Sequence, residues 1–232
     1  MQADNANGPV LTAVNLSRVF GSGDTAVTAL SSISLKVQQG DFLAVTGRSG
    51  SGKTTLLNLL SGLDSPTTGT VHFHGDDLAN LRESDLVEMR RHKIGFVFQS
   101  FGLMPLLSAQ ENVELPLHIG GASWRERRQK AIEALRAVGL GTRARHRPFE
   151  LSGGEQQRVS IARALVTEPE VVFADEPTGE LDTATARSIA ETLGEVAASR
   201  RATVIVATHD LDLAATAQRR LDLVDCMIFS QG

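Results

Sequence analysis

An apolar run, Phe42 to Val45, leads into Gly47-Arg48-Ser49-Gly50-Ser51-Gly52-Lys53-Thr54 and then into a second apolar stretch, Leu56 to Leu60. Few folds can use that order. The glycines let the backbone curl until successive N–H groups point inward at one spot, and a helix starting there adds its positive end. The pattern predicts a phosphate-binding loop, or P-loop, in its strand–loop–helix setting. Gly47, Ser49, Gly50, Ser51, Gly52 and Thr55 are then expected around the phosphates. Lys53 is expected to bridge the β- and γ-phosphates, and the Thr54 hydroxyl to ligate Mg²⁺.

Such a loop demands a parallel sheet, and the rest of the chain supplies one. Short apolar runs predict strands at Leu11–Leu16, Ile33–Val37, Phe42–Val45, Val71–His74, Ile94–Phe98, Val171–Ala174, Thr203–Ala207 and Leu221–Ile228. Several are apolar throughout, as strands covered on both faces are. Helical patterns fall between them at Lys53–Leu60, Ser84–Arg91, Glu155–Val166, Thr183–Ser199 and Leu211–Ala217. The alternation predicts an α/β fold, a mostly parallel sheet wrapped by helices. From about Ala79 to Phe149 the alternation fails, which predicts an inserted helical lobe spanning roughly 79–150. Ser123 and Glu126 form a capping-box pattern there, with Trp124, Ala131, Ile132, Leu135 and Val138 on one face and an arginine cluster off it.

Composition removes other classes. At 232 residues the chain is sized for a single domain, 1–232, and 41% hydrophobic with 22% charged residues is an ordinary globular balance. A net charge of -4 gives no footprint for nucleic acid. Cys226 has no second cysteine to pair with, which fits a reducing compartment, and its apolar neighbours predict a buried strand thiol. Met1 to Pro9 carry no secretory pattern, and no apolar stretch is long enough to cross a bilayer. A cytoplasmic protein is expected, touching a membrane only through a partner.

Two further strand ends carry chemistry. Val171-Val172-Phe173-Ala174-Asp175-Glu176 is an apolar strand closing on two carboxylates. Asp175 suits a hold on Mg²⁺, and Glu176 suits polarising the attacking water. Thr203 to Thr208 ends at His209, and Ile94 to Phe98 ends at Gln99. Parallel strands gather their C-terminal ends along one edge, which predicts His209 and Gln99 beside the P-loop. Leu151-Ser152-Gly153-Gly154-Glu155-Gln156-Gln157-Arg158 is a second glycine-rich helix start. One nucleotide needs only one such site from one chain, so Ser152, Gly153 and Gly154 are expected to cap the γ-phosphate held by a partner's P-loop.

That last segment resembles the signature motif of ATP-binding cassette (ABC) proteins. The order P-loop, glutamine, signature, Asp-Glu, histidine is similar to that family from end to end. The resemblance implies a P-loop NTPase (RecA-like) core with N-terminal antiparallel β elements. It also implies an ATPase using ATP and Mg²⁺, a second ABC subunit forming a homodimer, and an integral membrane permease on the cytoplasmic face of the cell membrane. It gives Gln99 a role in sensing Mg²⁺ and water. It makes Asp182, in Gly179-Glu180-Leu181-Asp182, an interface residue, and Phe20 the aromatic that stacks on adenine, where tyrosine is more usual. Gly95 to Phe101 with Glu111 to Leu117 resembles the lipoprotein-release, macrolide-export and cell-division branch. A soluble repair-type cassette is the competing class, but its long coiled-coil insertion or second cassette is not present. A regulatory, signalling ATPase remains the alternative. One departure is that Asp225 is followed by Cys226 where the family commonly has Asp-Gly.

Overall fold

Cover on both faces explains why the central strands read as apolar throughout. The structure, a computed structural model, describes residues 8–199 and 202–231. The opening polar stretch, read as free of a secretory pattern, therefore lies largely outside the described residues. In chain order the elements are β1 (Leu11–Phe20), β2 (Val27–Val37), β3 (Phe42–Thr46), α1 (Lys53–Leu60), β4 (Thr68–Phe73), β5 (Asp76–Asp77), α2 (Glu83–Lys93) and β6 (Ile94–Val97). They continue as α3 (Ala109–Ile119), α4 (Trp124–Ala137), α5 (Gly153–Leu165), β7 (Val171–Asp175), α6 (Thr183–Ala198), β8 (Thr203–Thr208), α7 (Leu211–Thr216), β9 (Arg219–Val224) and β10 (Met227–Gln231).

One sheet runs β10-β9-β3-β8-β7-β6, parallel except at its β10 edge, and an antiparallel sheet runs β2-β1-β4-β5. Phe42, Ala44, Val172, Ala174, Val204 and Val206 join a core with α3, α4, α5 and α6. Their neighbours Leu43, Val45, Val171, Phe173, Ile205 and Ala207 face the other way, into a core with α1 and the antiparallel sheet. With both faces covered, each strand position is selected for burial, and the period-two signal disappears.

The segment that leaves the sheet begins after β6, not near residue 79. Leu78 and Met89 are buried in the α1-side core, and β6 pairs in register with β7. Beyond it α3 packs on α4, and both lie against α5, with Val113, Ala131 and Leu135 fully buried. Trp124 departs from its expected face. It sits at the first turn of α4, 58% exposed, with the Arg128 guanidinium 5.4 Å from its ring. Arg127, expected on a solvated face, reaches Glu114 of α3 at 3.4 Å.

The stretch Leu221–Ile228 is not one strand. Asp225 and Cys226 take φ of 47° and 66° and turn the chain back, so that β10 pairs antiparallel with β9. Left-handed backbone at both central residues is the hairpin geometry that Asp-Gly normally supplies, and a side chain there costs about 1–2 kcal/mol. The turn is held from outside: Ser31 N–H donates to the Cys226 carbonyl at 2.8 Å, and the thiol donates to the Thr28 carbonyl at 3.1 Å. Cys226 is thus a half-exposed turn residue rather than a buried strand thiol.

Candidate nucleotide site

Strand β3 is buried along its whole length and delivers the loop at its C-terminal end. Gly52 takes φ +99° as the residue before α1, and a Cβ there would lie 2.3 Å from the Ala29 carbonyl, so no other side chain fits. No side chain caps α1, and its first turn holds no acid. The leading amides of that helix are left to an incoming anion, and the helix end favours one.

Lys53 is 6% exposed and folds back over the loop, donating to the carbonyls of Gly47 at 2.9 Å and Arg48 at 3.2 Å. Its ammonium is also 3.3 Å from Glu176 Oε1. The other Glu176 oxygen, Oε2, accepts from the His209 backbone N–H at 3.2 Å and lies 2.8 Å from His209 Nδ1. Glu176 holds φ +45°, a left-handed value that costs a non-glycine residue on the order of 1–3 kcal/mol. Its N–H donates to the Ala207 carbonyl at 2.8 Å, so the strand ladder of β8 pins the strained residue in place.

Asp175 ends β7 half-buried beside Thr54. Burial pushes its carboxyl above the ordinary range, opposed by the hydrogen bond from the Thr54 hydroxyl. Its Oδ1 is buried with no hydrogen-bond partner among the described residues. A buried carboxylate oxygen left over beside a hydroxyl is the hard-oxygen environment that a small divalent cation takes.

A cleft of about 660 Å³ gathers these groups. Ser49, Gly50, Gly52, Lys53, Thr54 and Thr55 line it with Gln99, Glu176 and His209, and Val27, Thr28 and Ala29 of β2 form a wall that the sequence did not signal. Gly47 and Ser51 belong to the same loop but face the adjoining hollow toward Cys226. Phe20 does not line the cleft. It pairs with Val27 at its rim, 44% exposed, and the Arg18 guanidinium covers its ring at 4.5 Å while also holding Asp64.

Ser152, Gly153, Gly154 and Asp182 are not brought to this cleft. Ser152 caps α5: its hydroxyl accepts from Glu155 N–H at 3.3 Å, and the Glu155 carboxylate accepts from Ser152 N–H at 2.9 Å. The bonds from Ser152 hold the Glu155 carboxyl below its usual range, with Arg143 assisting at 3.2 Å. A Cβ on Gly154 would lie 2.2 Å from Thr185 Cγ2, so glycine lets α5 approach α6. Asp182 caps α6 through Ala184 and Thr185 N–H, both at 3.1 Å, and the Thr185 hydroxyl holds its carboxyl low.

An α/β sheet with a P-loop at the end of one parallel strand, and an acid, a glutamine and a histidine at the ends of others, defines a nucleotide-binding protein of the P-loop class. Residues 30–179 match the model of the family described as ABC transporter. The macrolide export ATP-binding/permease protein MacB of Hyphomonas neptunium is 46% identical over 97% of this chain. Its counterpart in Marinobacter nauticus is 44% identical over 94% of it. The chain spans about a third of the length of these curated relatives, 35% and 34%. A solved dimeric structure described as a post-hydrolysis state of the ATP-binding cassette MJ0796 bound to ADP and Pi superposes with a TM-score of 0.88. It is 40% identical and covers 96% of this chain and 97% of that one. Clostridium perfringens cbiO1, described as part of the cbiONQ transporter complex, is 27% identical with a TM-score of 0.86, covering 97% of this chain and 88% of that one. The chain belongs to the ABC transporter family, and what it contains of that family is the ATP-binding cassette. Among the described residues no helix is long and apolar enough to cross a membrane.

Proposed function

We propose that this chain is the ATP-hydrolysing, nucleotide-binding subunit of a membrane transport complex, dimerising on ATP and driving an integral membrane permease from the cytoplasmic face. One observation carries the reading. Lys53, Gln99, Glu176 and His209 converge on one cleft, whereas Ser152, Gly153, Gly154 and Asp182 lie away from it, so a second copy has to supply them. The dimeric states described for the MJ0796 cassettes support that arrangement. A groove beside the glutamine, walled by Phe98, Leu115, Pro116, Ile119 and Arg163, supports a permease helix as the other partner. Residues 1–232 act in this reading as one nucleotide-binding domain, with the segment between β6 and α5 as its helical lobe.

The chain's own residues divide the work. Amides of Gly47, Ser49, Gly50, Ser51 and Gly52, with Thr55 at the helix start, cradle the phosphates. Phe20 stacks on the base. Lys53 exchanges the Gly47 and Arg48 carbonyls for phosphate oxygens and offsets the charge that develops there. Thr54, Asp175 and Gln99 would hold Mg²⁺, which supplies further charge neutralisation when bound. Glu176 orients a water and accepts its proton as the water oxygen attacks the γ-phosphorus and the bond to ADP breaks. His209 steadies that carboxylate and faces the departing phosphate. Ser152 and Gly154 of the second copy close over the γ-phosphate.

Glu176→Gln separates this reading from nucleotide binding alone. The variant is expected to accumulate an ATP-dependent dimer in size-exclusion chromatography while turnover drops by about 10²–10⁴-fold. Turnover at the parent rate would remove Glu176 from the assigned role.

A further inference from the structure

The signature helix α5 carries one side chain that touches two arms of the cleft from behind. Gln157 is 0% exposed. Its amide Nε2 donates to the Pro177 carbonyl at 2.8 Å and reaches the Phe98 carbonyl at 3.5 Å. Pro177 directly follows Glu176, and Phe98 directly precedes Gln99. Both acceptors are carbonyls, so only the NH₂ end of the amide can serve them. The Oε1 end is buried with no partner among the described residues. An apolar side chain of the same shape would spare that oxygen but take the donor away from the Pro177 carbonyl, and a buried acceptor so orphaned costs roughly 1–3 kcal/mol. Six residues further along α5, Arg163 donates to the Phe101 carbonyl at 3.0 Å and the Gly102 carbonyl at 2.5 Å, gripping the far end of the glutamine segment.

We infer that Gln157 is a positioning residue for hydrolysis. It ties the first turns of α5 to the backbone directly after Glu176 and directly before Gln99, and so holds both groups in place at the cleft. The inference rests on the hydrolytic reading above. The segment it fixes also makes Gly179 N–H→Glu176 carbonyl (3.1 Å) and Thr178 hydroxyl→Asp210 (3.1 Å) bonds, so displacing Pro177 displaces the whole turn that carries Glu176. Misplacing a catalytic group by about 1 Å can cost on the order of 10² in rate without weakening ground-state binding.

Two substitutions in the full chain, assayed with ATP and Mg²⁺, test this. Gln157→Met keeps the volume and removes the donor, and kcat is expected to fall at least about tenfold while KM for ATP stays within about twofold. Gln157→Glu places a carboxyl at the same reach. Ionised, it has no proton to give the Pro177 carbonyl; protonated, it donates again. Burial raises a carboxyl's pKa, so the ratio of its kcat to that of the parent chain is expected to rise several-fold from about pH 8 to about pH 6. A Gln157→Met chain turning over at the parent rate, or a Gln157→Glu chain with a flat ratio, overturns the inference. If Gln157→Met does not fold, the pH ratio alone decides. Parent hydrolysis that disappears in Lys53→Ala but runs at the parent rate in Gln157→Met, or with a flat pH ratio in Gln157→Glu, sinks only this inference, whereas a parent chain with no Lys53-dependent hydrolysis sinks the hydrolytic reading beneath it.

Discussion

Two glycine-flanked helix starts in this molecule look alike on paper and differ in their hydrogen bonding. At α1 the residue before the helix is a left-handed glycine, nothing caps the first turn, and no acid sits in it. At α5 the hydroxyl of Ser152 and the carboxylate of Glu155 satisfy each other's backbone N–H groups, and an acid occupies the first turn. The first end has donors in want of an anion at all times. The second is already capped and carries negative charge, drawn aside by Arg143. A site built the first way holds a phosphate on its own. One built the second way engages only when something else has placed the phosphate, which suits a contact that must form and release in each cycle.

The sharpest way to break that contrast is to disable each end in a separate chain. Lys53→Ala is expected to lower hydrolysis by at least about 10²–10³-fold, as loss of a charge-stabilising donor does. Mixing it with Ser152→Ala chains should restore activity, because one composite site in the mixed dimer keeps both an intact P-loop and an intact turn. Phosphate release measured on the mixture against each variant alone reads this directly, and failure to recover would mean that the two ends serve one chain.

A smaller effect separates capping from contact. Ser108 heads α3 with the same reciprocal box to Glu111 that Ser152 makes with Glu155. Ser108→Ala and Ser152→Ala should each cost about 1 kcal/mol in denaturant melts, but only Ser152→Ala should depress kcat. Equal kinetic losses would reduce Ser152 to a structural cap.

The smallest effect belongs to the rim. Phe20→Ala is expected to weaken ATP binding by about 3–10-fold, an aromatic contact of about 0.5–1.5 kcal/mol, and to leave kcat unchanged, read as KM alone. A fall in kcat would place Phe20 nearer the chemistry than its position beside Val27 suggests.

Much of this was legible because the informative residues are local. A strand, a glycine run and a helix in immediate succession leave one way to orient the amides, so the cradle around Lys53 could be read without coordinates. His209 and Gln99 are legible because parallel strands bring their ends to one edge, and the Asp175–Glu176 pair because it closes an apolar strand downstream of a P-loop. Other features carried a mixed local mark or none. Helix α3 contains Pro116, which discourages a helical reading, yet the Ser108 box starts the helix and Val113 and Leu117 bury its inner face. The break in Leu221–Ile228 has apolar residues on both sides and a cysteine where glycine would have flagged the turn. The β2 wall at Val27–Ala29 is exposed and mixed in character, and Gln157 is one polar residue of a helix, with nothing in its neighbours to say that it faces inward.

Residue order alone determined that α1 would start from an uncapped glycine turn and which strands would be buried on both sides, because those properties depend on φ, hydrogen-bonding capacity and apolarity over a few adjacent positions. It took the folded chain to show that Ser152 lies off the cleft, that an ion pair and a hydrogen bond join Lys53, Glu176 and His209 in one row, and that Gln157 joins segments far apart in the chain. Those relations are distances between residues far apart in the chain: the register of β3, β8 and β7 sets the row, and the packing of α5 against the sheet sets the other two.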